Sequence, residues 1–298
     1  MRLTHNEKNW FRAQFPALVQ PRPEESHKGT FGTLHIIGGG VGMTGAPVLA
    51  GMAALKSGCG KVILGFNQEP LELSLVATAP ELMLHQAKDL MNEKSASAWV
   101  FGCGLGIDHS AQGLMASLLR EISAYQPLLI DADGLNLLSE MWNIDGEINC
   151  GEIGLGAQSV LTPHPKEAAR LLGVSVTEVQ ADREGAAKRL VEKFGCWVVL
   201  KGHHTLIAAP DQTLWCNKTG NSGLATAGSG DLLSGIIGSL LAQNIPMMEA
   251  ARGGVWLHGK AADLLVAKGV GPIGLTAHEI IDEVRTLRNR LVLSSSLL

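Results

Sequence analysis

A glycine-rich turn that runs straight into an apolar helix leaves a chain few ways to fold, and residues 217–242 are such a stretch. Asn217–Asp231 reads NKTGNSGLATAGSGD and is followed by LLSGIIGSLLA. In the second part Leu232, Leu233, Ile236, Ile237, Leu240 and Leu241 recur at helical spacing, which predicts a buried helix. Gly235 and Gly238 keep that helix slim, so another element can approach closely. The first part is a turn that delivers backbone N–H groups to the helix start. Such a start attracts anions through unpaired N–H groups and the helix dipole. Asp231 stands at the junction. It can cap the helix, or it can act as a base beside a bound phosphate. Gly228-Ser229-Gly230-Asp231 alone does not choose between them.

The rest of the chain supplies the context. With 298 residues, 46% hydrophobic and 17% charged, it can bury a sizeable core. Thirty-six glycines are well above the average of about 7%, and they follow neither a collagen period nor a linker pattern. They mark tight turns and close backbone approaches. A net charge of −4 leaves no nucleic-acid footprint, so a nucleotide site has to rely on local groups. The five cysteines (Cys59, Cys103, Cys150, Cys196 and Cys216) form no CxxC pair, which argues against a disulfide scaffold or a zinc site and for a reducing cytoplasm. No run approaches ~18 uninterrupted apolar residues, so no membrane partner is expected.

In order, residues 1–28 read as an N-terminal arm. Trp10, Phe11, Phe15 and Leu18 form its apolar stripe, and Pro16, Pro21 and Pro23 break it. The arm either packs on its own core or makes a subunit contact. Residues 29–298 read as one domain. Leu34–Ile37 is a strand ending in Gly38-Gly39-Gly40, Thr44–Ser57 a helix, and Lys61–Phe66 the next strand. This βαβ unit implies a parallel sheet. Further strands are expected at Trp99–Phe101, Pro127–Ile130, Ser159–Leu161 and Trp197–Leu200, with two more at Thr205–Ala208 and Thr213–Cys216. Helices are expected at Lys166–Leu172, 247–268 and 277–291, the last with a capping box of Thr276 and Glu279. Strand after strand ends in a polar or glycine-rich loop before a helix. That is a three-layer α/β/α, doubly wound and mostly parallel sheet, with its site at the carboxyl ends of the strands.

Five loops at those ends carry candidate chemistry. Gly40-Val-Gly-Met-Thr-Gly45 matches the dinucleotide fingerprint G-x-G-x-x-G, but Gly65-Phe66-Asn67-Gln68 stands where the supporting acid belongs, so a Rossmann site is not expected. The turn still offers backbone N–H groups at a helix start. Gly102–Gly106 allows either a ligand or another element to approach. Asp133 reads as a helix N-cap and Asp131 as a possible hydroxyl or metal contact. His164, between two prolines and held near an N-cap, reads as a ligand contact. Lys201 ends an apolar strand, where burial is costly without an anionic partner. Lys201-Gly-His-His-Thr205 reads as a phosphate or adenosine contact, with a surface loop as the alternative. His85, His109 and His258 lie in ordinary surroundings and read as surface or core. A glycine turn, a carboxylate beside it and a nearby lysine are most of what phosphoryl transfer needs.

The runs KGTFGTLHIIGG, GMTGAPVLAGMAALKSGCG, DADGLN, TPHPKEAARLLG, KGHHT and NKTGNSGLATAGSGDLLSGIIGSLLAQ, in this order over roughly residues 28–285, resemble the ADP-dependent NAD(P)H-hydrate dehydratases of the ribokinase-like superfamily. The loop at 102–106 departs from the family in having Cys103 where proline is more common. The resemblance implies an enzyme that restores the S-epimer of hydrated NADH and NADPH (NADHX and NADPHX). ADP would phosphorylate the ring hydroxyl, and phosphate would then be eliminated, with Mg2+ bridging the phosphates. By position, Asp231 would be the base, Gly228, Ser229 and Gly230 the anion hole, and Lys201, Gly202, His203, His204, Thr205 and Gly230 the adenine-nucleotide contacts. Ala46, Gly104, Gly106, His164 and Asp231 would contact the hydrate. A homo-oligomer, expected as a tetramer, is implied. So is an epimerase on a separate protein, because the family often carries an N-terminal epimerase domain that this sequence lacks. Two other readings stand beside this one. The first is a ribokinase-like kinase for a small alcohol such as a vitamin precursor. The second is a non-catalytic nucleotide binder, against which the presence of Asp231 argues.

Overall fold

Burial of the apolar runs on both faces decides the architecture, since every residue of the central strands is buried. The computed structural model describes residues 3–121, 126–144 and 155–293. Nine strands form one sheet: β1 Thr33–Gly38, β2 Lys61–Phe66, β3 Met83–Gln86, β4 Ala98–Cys103, β5 Leu128–Ile130, β6 Ser159–Leu161, β7 Trp197–Leu200, β8 Leu206–Ala208 and β9 Leu214–Cys216, in the order β3-β2-β1-β4-β5-β6-β7-β8-β9. The pairs from β3 through β7 are parallel, and β8 and β9 continue antiparallel from β7.

Successive side chains point to opposite faces of a strand, and each face has its own helices. Leu34, Ile36, Val100, Leu129 and Val199 face a core shared with α1 His5–Gln14, α2 Gly45–Lys56, α9 Ser229–Ala242, α10 Met247–Ala267 and α11 Ala277–Val292. Ile37, Trp99, Phe101, Ile130 and Val198 face the other core, with α3 Ala87–Leu90, α4 His109–Glu121, α5 Asp133–Ile144, α6 Pro165–Leu172, α7 Val176–Ala181 and α8 Arg183–Phe194. The fold is the expected α/β/α sandwich.

Helix α9 lies at the centre, buried along almost its whole length. A methyl group at Gly235 would sit 2.0 Å from the Ala50 carbonyl oxygen of α2, and one at Gly238 would sit 2.4 Å from Val100 Cγ2 of β4. The two glycines therefore let α9 press against a helix on one side and the sheet on another. The segment ahead of β1 packs on the same core through Phe11, Phe15 and Leu18, while Trp10 stays 46% exposed. Arg12 donates to the carbonyls of Leu291 and Leu293, tying this segment to the end of α11. No helix among the described residues is long and apolar enough to cross a membrane. Cys150 lies outside the described residues.

Two local expectations change. Strand β3 was not foreseen, because it is an edge strand whose residues are only exposed or half-buried and give no apolar run. Asp133 is the first residue of α5 and not its cap; its Oδ2 instead accepts the Gly106 N–H at 2.9 Å.

Candidate active site

The carboxyl ends of β1, β4, β5, β6 and β7 meet the start of α9, and each strand contributes one piece. After β5, Asp131 is 1% exposed. Its Oδ1 accepts from Lys201 Nζ, at the end of β7, at 2.6 Å, and its Oδ2 accepts from Ser234 Oγ of α9 at 2.7 Å. The anionic partner that Lys201 needs is thus a side chain of this chain. Glu167, in the first turn of α6, is a second partner at 3.9 Å. Gly230 lies directly over this pair: a Cβ there would be 3.4 Å from Lys201 Nζ and 3.8 Å from Asp131 Oδ2.

The turn into α9 has the shape expected of an anion hole. Gly228 precedes the helix with φ 82°, a left-handed conformation that glycine takes without strain, and no side chain caps the helix. The Ser229 N–H donates to the Thr226 carbonyl at 3.4 Å, and the N–H groups of the next residues, Gly230 and Asp231, remain for a ligand. Asp231 belongs to the first turn and is half-buried. It does not cap the helix, which removes the simpler of its two readings. Burial raises its pKa, as does the Asp131 charge, while a hydrogen bond from the Cys103 thiol and the Lys201 charge oppose the rise.

The other ionisable groups respond to the same few neighbours. Burial alone would raise Asp131, but Lys201, with hydrogen bonds from Ser234 and Thr162, holds it below the usual carboxylate value. Burial works against Lys201, yet Asp131 and Glu167 raise its pKa and keep it charged. Glu167 is pushed up to about 7, by burial first and with Asp131 adding to it against the pull of Lys201. His164 caps α6: its Nδ1 accepts from the N–H groups of Lys166 and Glu167, and Glu167 closes the capping box by accepting the His164 N–H at 2.7 Å. Burial and Lys201 lower the His164 pKa.

Two glycine turns complete the floor. Gly39 N–H donates to the Cys103 carbonyl and Gly40 N–H to the Gly104 carbonyl, at 3.0 and 2.7 Å, so the turns after β1 and β4 lie side by side. A Cβ on Gly104 would be 3.0 Å from that of Ala46. Ala46 and Gly104 are therefore neighbours, and Gly106 is fixed next to them by Asp133. Gly202–Thr205 forms the loop after β7. Arg183 holds it by donating to the carbonyls of Leu200, Lys201 and His203, and the His203 and His204 rings stack at 3.9 Å on its exposed side.

The chain and its fold are similar to proteins of known kind. The sequence profile of the NAD(P)H-hydrate dehydratases matches residues 34–286. The ADP-dependent (S)-NAD(P)H-hydrate dehydratase of Neisseria meningitidis is 51% identical over 94% of this chain and 93% of its own length. The chain belongs to the NAD(P)H-hydrate dehydratase family. The crystal structure of the ADP/ATP-dependent dehydratase of Bacillus subtilis, co-crystallised with ATP and Mg2+, superposes with a TM-score of 0.79 at 33% identity, covering 95% of this chain and 97% of that one. The bifunctional NAD(P)H-hydrate repair enzyme of Escherichia coli is 41% identical over 91% of this chain, which spans only half of that protein's length.

In this member of the dehydratase family the structure gathers Asp231, Gly228–Gly230 and Lys201 into one cluster, with Ala46 and Gly104 at the adjoining turns. His164 joins through Glu167, whose Oε1 lies 3.4 Å from His164 Nε2. Sequence reasoning missed Glu167 because it reads as a capping residue, third in the helix after His164. It also missed His258, read as ordinary surroundings. That residue is 7% exposed, and its Nε2 lies 3.3 Å from the Ser229 hydroxyl in the turn itself. Burial, with Lys201 adding, lowers the His258 pKa to about 4, so a neutral ring lies against the turn into α9. No local motif signals it.

Proposed function

We propose that this chain uses ADP to dehydrate the S-epimer of NADH or NADPH hydrated at C6 of the nicotinamide ring, releasing NAD(P)H, AMP and phosphate. The observation that carries the reading is Asp231. It is a carboxylate in the first turn of α9 that does not cap the helix, raised in pKa, with the N–H groups of Gly228 and Gly230 on one side and the Lys201–Asp131 pair on the other. A raised carboxylate is better matched to taking a proton near neutrality.

Asp231 takes the proton of the C6 hydroxyl as its oxygen attacks the terminal phosphorus of ADP. The bond to AMP breaks, and the turn's N–H groups hold the transferred phosphoryl charge. Hydroxide is a poor leaving group and phosphate a good one. The ring-nitrogen lone pair then expels phosphate, and loss of a ring proton restores the double bond. Lys201, kept charged by its carboxylate partners, neutralises the incoming phosphates, and the loop Gly202–Thr205 carries the adenosine. His164, Ala46, Gly104 and Gly106 orient the hydrate.

Magnesium enters with the nucleotide in this reading. Among the described residues no group of three or more His, Cys, Asp and Glu side chains is placed to hold a metal, and Asp131 is already taken by Lys201 and Ser234. Mg2+ usually keeps several waters and is held mainly by substrate phosphates, so here it would be carried by the nucleotide. Bound there, it would supply charge neutralisation on the phosphates. The reading also includes a cytoplasmic homo-oligomer and a separate epimerase that supplies the S-epimer.

The test is absorbance at 340 nm with hydrated NADH, Mg2+ and either ADP or ATP. A rise that requires nucleotide supports the dehydratase and names the donor. A flat trace accompanied by a stable phosphorylated product would replace it with a small-alcohol kinase.

A further inference from the structure

The turn into α9 is built from residues that hold themselves poorly. Gly228 and Gly230 have no side chain to anchor, and glycine loses more backbone freedom on ordering than any other residue. Ser229 stands between them and supplies the one side chain of the three. It is 7% exposed, and its hydroxyl turns inward to His258 Nε2 of α10, at 3.3 Å. His258 is itself 7% exposed. Its ring is neutral, so what it gives Ser229 is a direction and not a charge.

Helix α10 is well placed to give such a direction, because it carries the stretch that leads into the turn as well. A Cβ on Gly254 would be 2.8 Å from Ile237 Cγ1, so α10 lies close against α9. A Cβ on Gly259 would be 2.4 Å from Thr219 Oγ1, so the chain ahead of the turn lies directly on α10. Thr219 Oγ1 donates to the Trp256 carbonyl at 3.2 Å. Asp263 accepts the Gly220 N–H at 3.0 Å and Asn221 Nδ2 at 2.9 Å. Trp256, Gly259 and Asp263 share one face of α10 by their spacing, and they fix the start of the stretch. Ala225 and Ala227 then pass through solvent-exposed positions, and His258 grips the far end at Ser229.

We infer that His258 is a positioning residue of the reaction: from α10 it holds the Ser229 side chain, and so keeps the Gly230 and Asp231 N–H groups aimed at the phosphoryl group during its transfer. The inference rests on the proposed function. The Gly230 N–H belongs to the planar peptide unit that follows Ser229. Ser229 is anchored before it, and the Leu232 N–H donates to the Gly228 carbonyl at 2.9 Å around it, so that unit has little room to swing. Without the ring, the buried Ser229 hydroxyl would lose its partner and the glycines their anchor. The cost falls on the transition state, because the donors matter most where charge develops on the moving phosphoryl group. AMP lacks that group, so its binding should not depend on His258.

The experiment measures kcat and KM for hydrated NADH at saturating ADP and Mg2+, with AMP binding by calorimetry. It compares the wild type, His258→Leu, His258→Gln, Ser229→Ala and the double variant His258→Leu with Ser229→Ala. Leu fills the space of the ring without a hydrogen bond, and Gln carries an amide to about the place of Nε2. His258→Leu and Ser229→Ala are each expected to lower kcat about ten- to hundredfold, the worth of a small misplacement, with KM and AMP affinity within about threefold of wild type. His258→Gln should recover most of kcat. The double variant should fall no further than the worse single one, because both remove the same contact. A merely structural role would lower stability to denaturant and leave the kcat of the folded protein in place. The inference is overturned by a kcat within about threefold of wild type in either single variant, by losses that multiply in the double variant, by Gln serving no better than Leu, or by a change confined to KM. Should His258→Leu not fold, Ser229→Ala and His258→Gln decide it, since one removes a single hydroxyl and the other keeps the contact. A wild type without nucleotide-dependent turnover would overturn the function itself and this role with it.

Discussion

The chain uses the same device twice and charges it differently. One glycine-rich turn leads into α2 and another into α9, and the two helices pack against each other, with Gly235 of α9 against the backbone of α2 at Ala50. Neither helix start has a side-chain cap, but at α2 the Ala46 N–H donates to the Met43 carbonyl and Pro47 has no N–H, so the start of α9 offers an anion more. The start of α9 carries Asp231 in its first turn and lies over the buried pair Lys201–Asp131. The start of α2 has no acidic residue in its first turn and opens onto space around Gly42 and Gly45. A helix start alone holds an anion. Adding a carboxylate with a raised pKa and a locked ammonium gives it something to do to that anion. On the proposed function, that difference gives phosphoryl transfer to the start of α9 and not to that of α2.

The largest effect comes from removing the charge that distinguishes the two. Asp231→Asn is expected to lower kcat by about a hundred- to ten-thousandfold, as loss of a general base does, while AMP binding measured by calorimetry stays near wild type. Near-normal turnover would sink the assignment of Asp231 as the base. Next is the pair beneath the turn. Asp131→Asn leaves the Lys201 ammonium without its 2.6 Å partner. Breaking a buried pair from one side costs about 3 kcal/mol, read by denaturant unfolding; a loss below ~1 kcal/mol would mean that water or Glu167 substitutes freely.

A smaller effect is pH-dependent. Glu167 moves from 4.5 to about 7 on folding. Its protonated form is the one the fold prefers. That preference is fully present below pH 4.5 and is lost as pH rises through about 7. Glu167→Gln cannot ionise, so its stability should gain on the wild type across that interval and then hold a constant difference. Parallel stability curves would remove the raised value. The smallest effect makes α2 resemble α9. Gly45→Asp places a carboxylate in an open first turn, where it should stabilise the helix by about 0.3–1 kcal/mol and raise the KM for the hydrate. A rise in the KM for ADP instead would mean that α2 serves the nucleotide.

The parts legible in the sequence were those carried by short-range pattern. The strands that carry the site are apolar runs ending at a glycine or a polar residue, and α9 repeats its leucines and isoleucines at helical spacing, so both the layers and the central helix could be placed. That Lys201 needs an anion was also legible, from the cost of burying an ammonium. That the anion is Asp131 was not, because the two lie 70 residues apart and meet only through the order β5-β6-β7. Glu167 was hidden inside a capping box, where a local reason for an acid already existed. Asp133 was read as a cap for the same reason, while its carboxylate in fact anchors Gly106. His258 is on α10, and only the tertiary fold brings it to Ser229.

The central claim is that the ring oxygen is phosphorylated before it leaves. The measurement that reaches it most directly uses hydrated NADH labelled with oxygen-18 at the C6 hydroxyl, incubated with ADP, Mg2+ and the protein. Released phosphate is analysed by mass spectrometry as absorbance at 340 nm rises. The account predicts one labelled oxygen in each phosphate released, with one AMP and one NADH formed alongside. Unlabelled phosphate, with the label recovered in water, would contradict it: the hydroxyl would then leave without ever bonding to phosphorus.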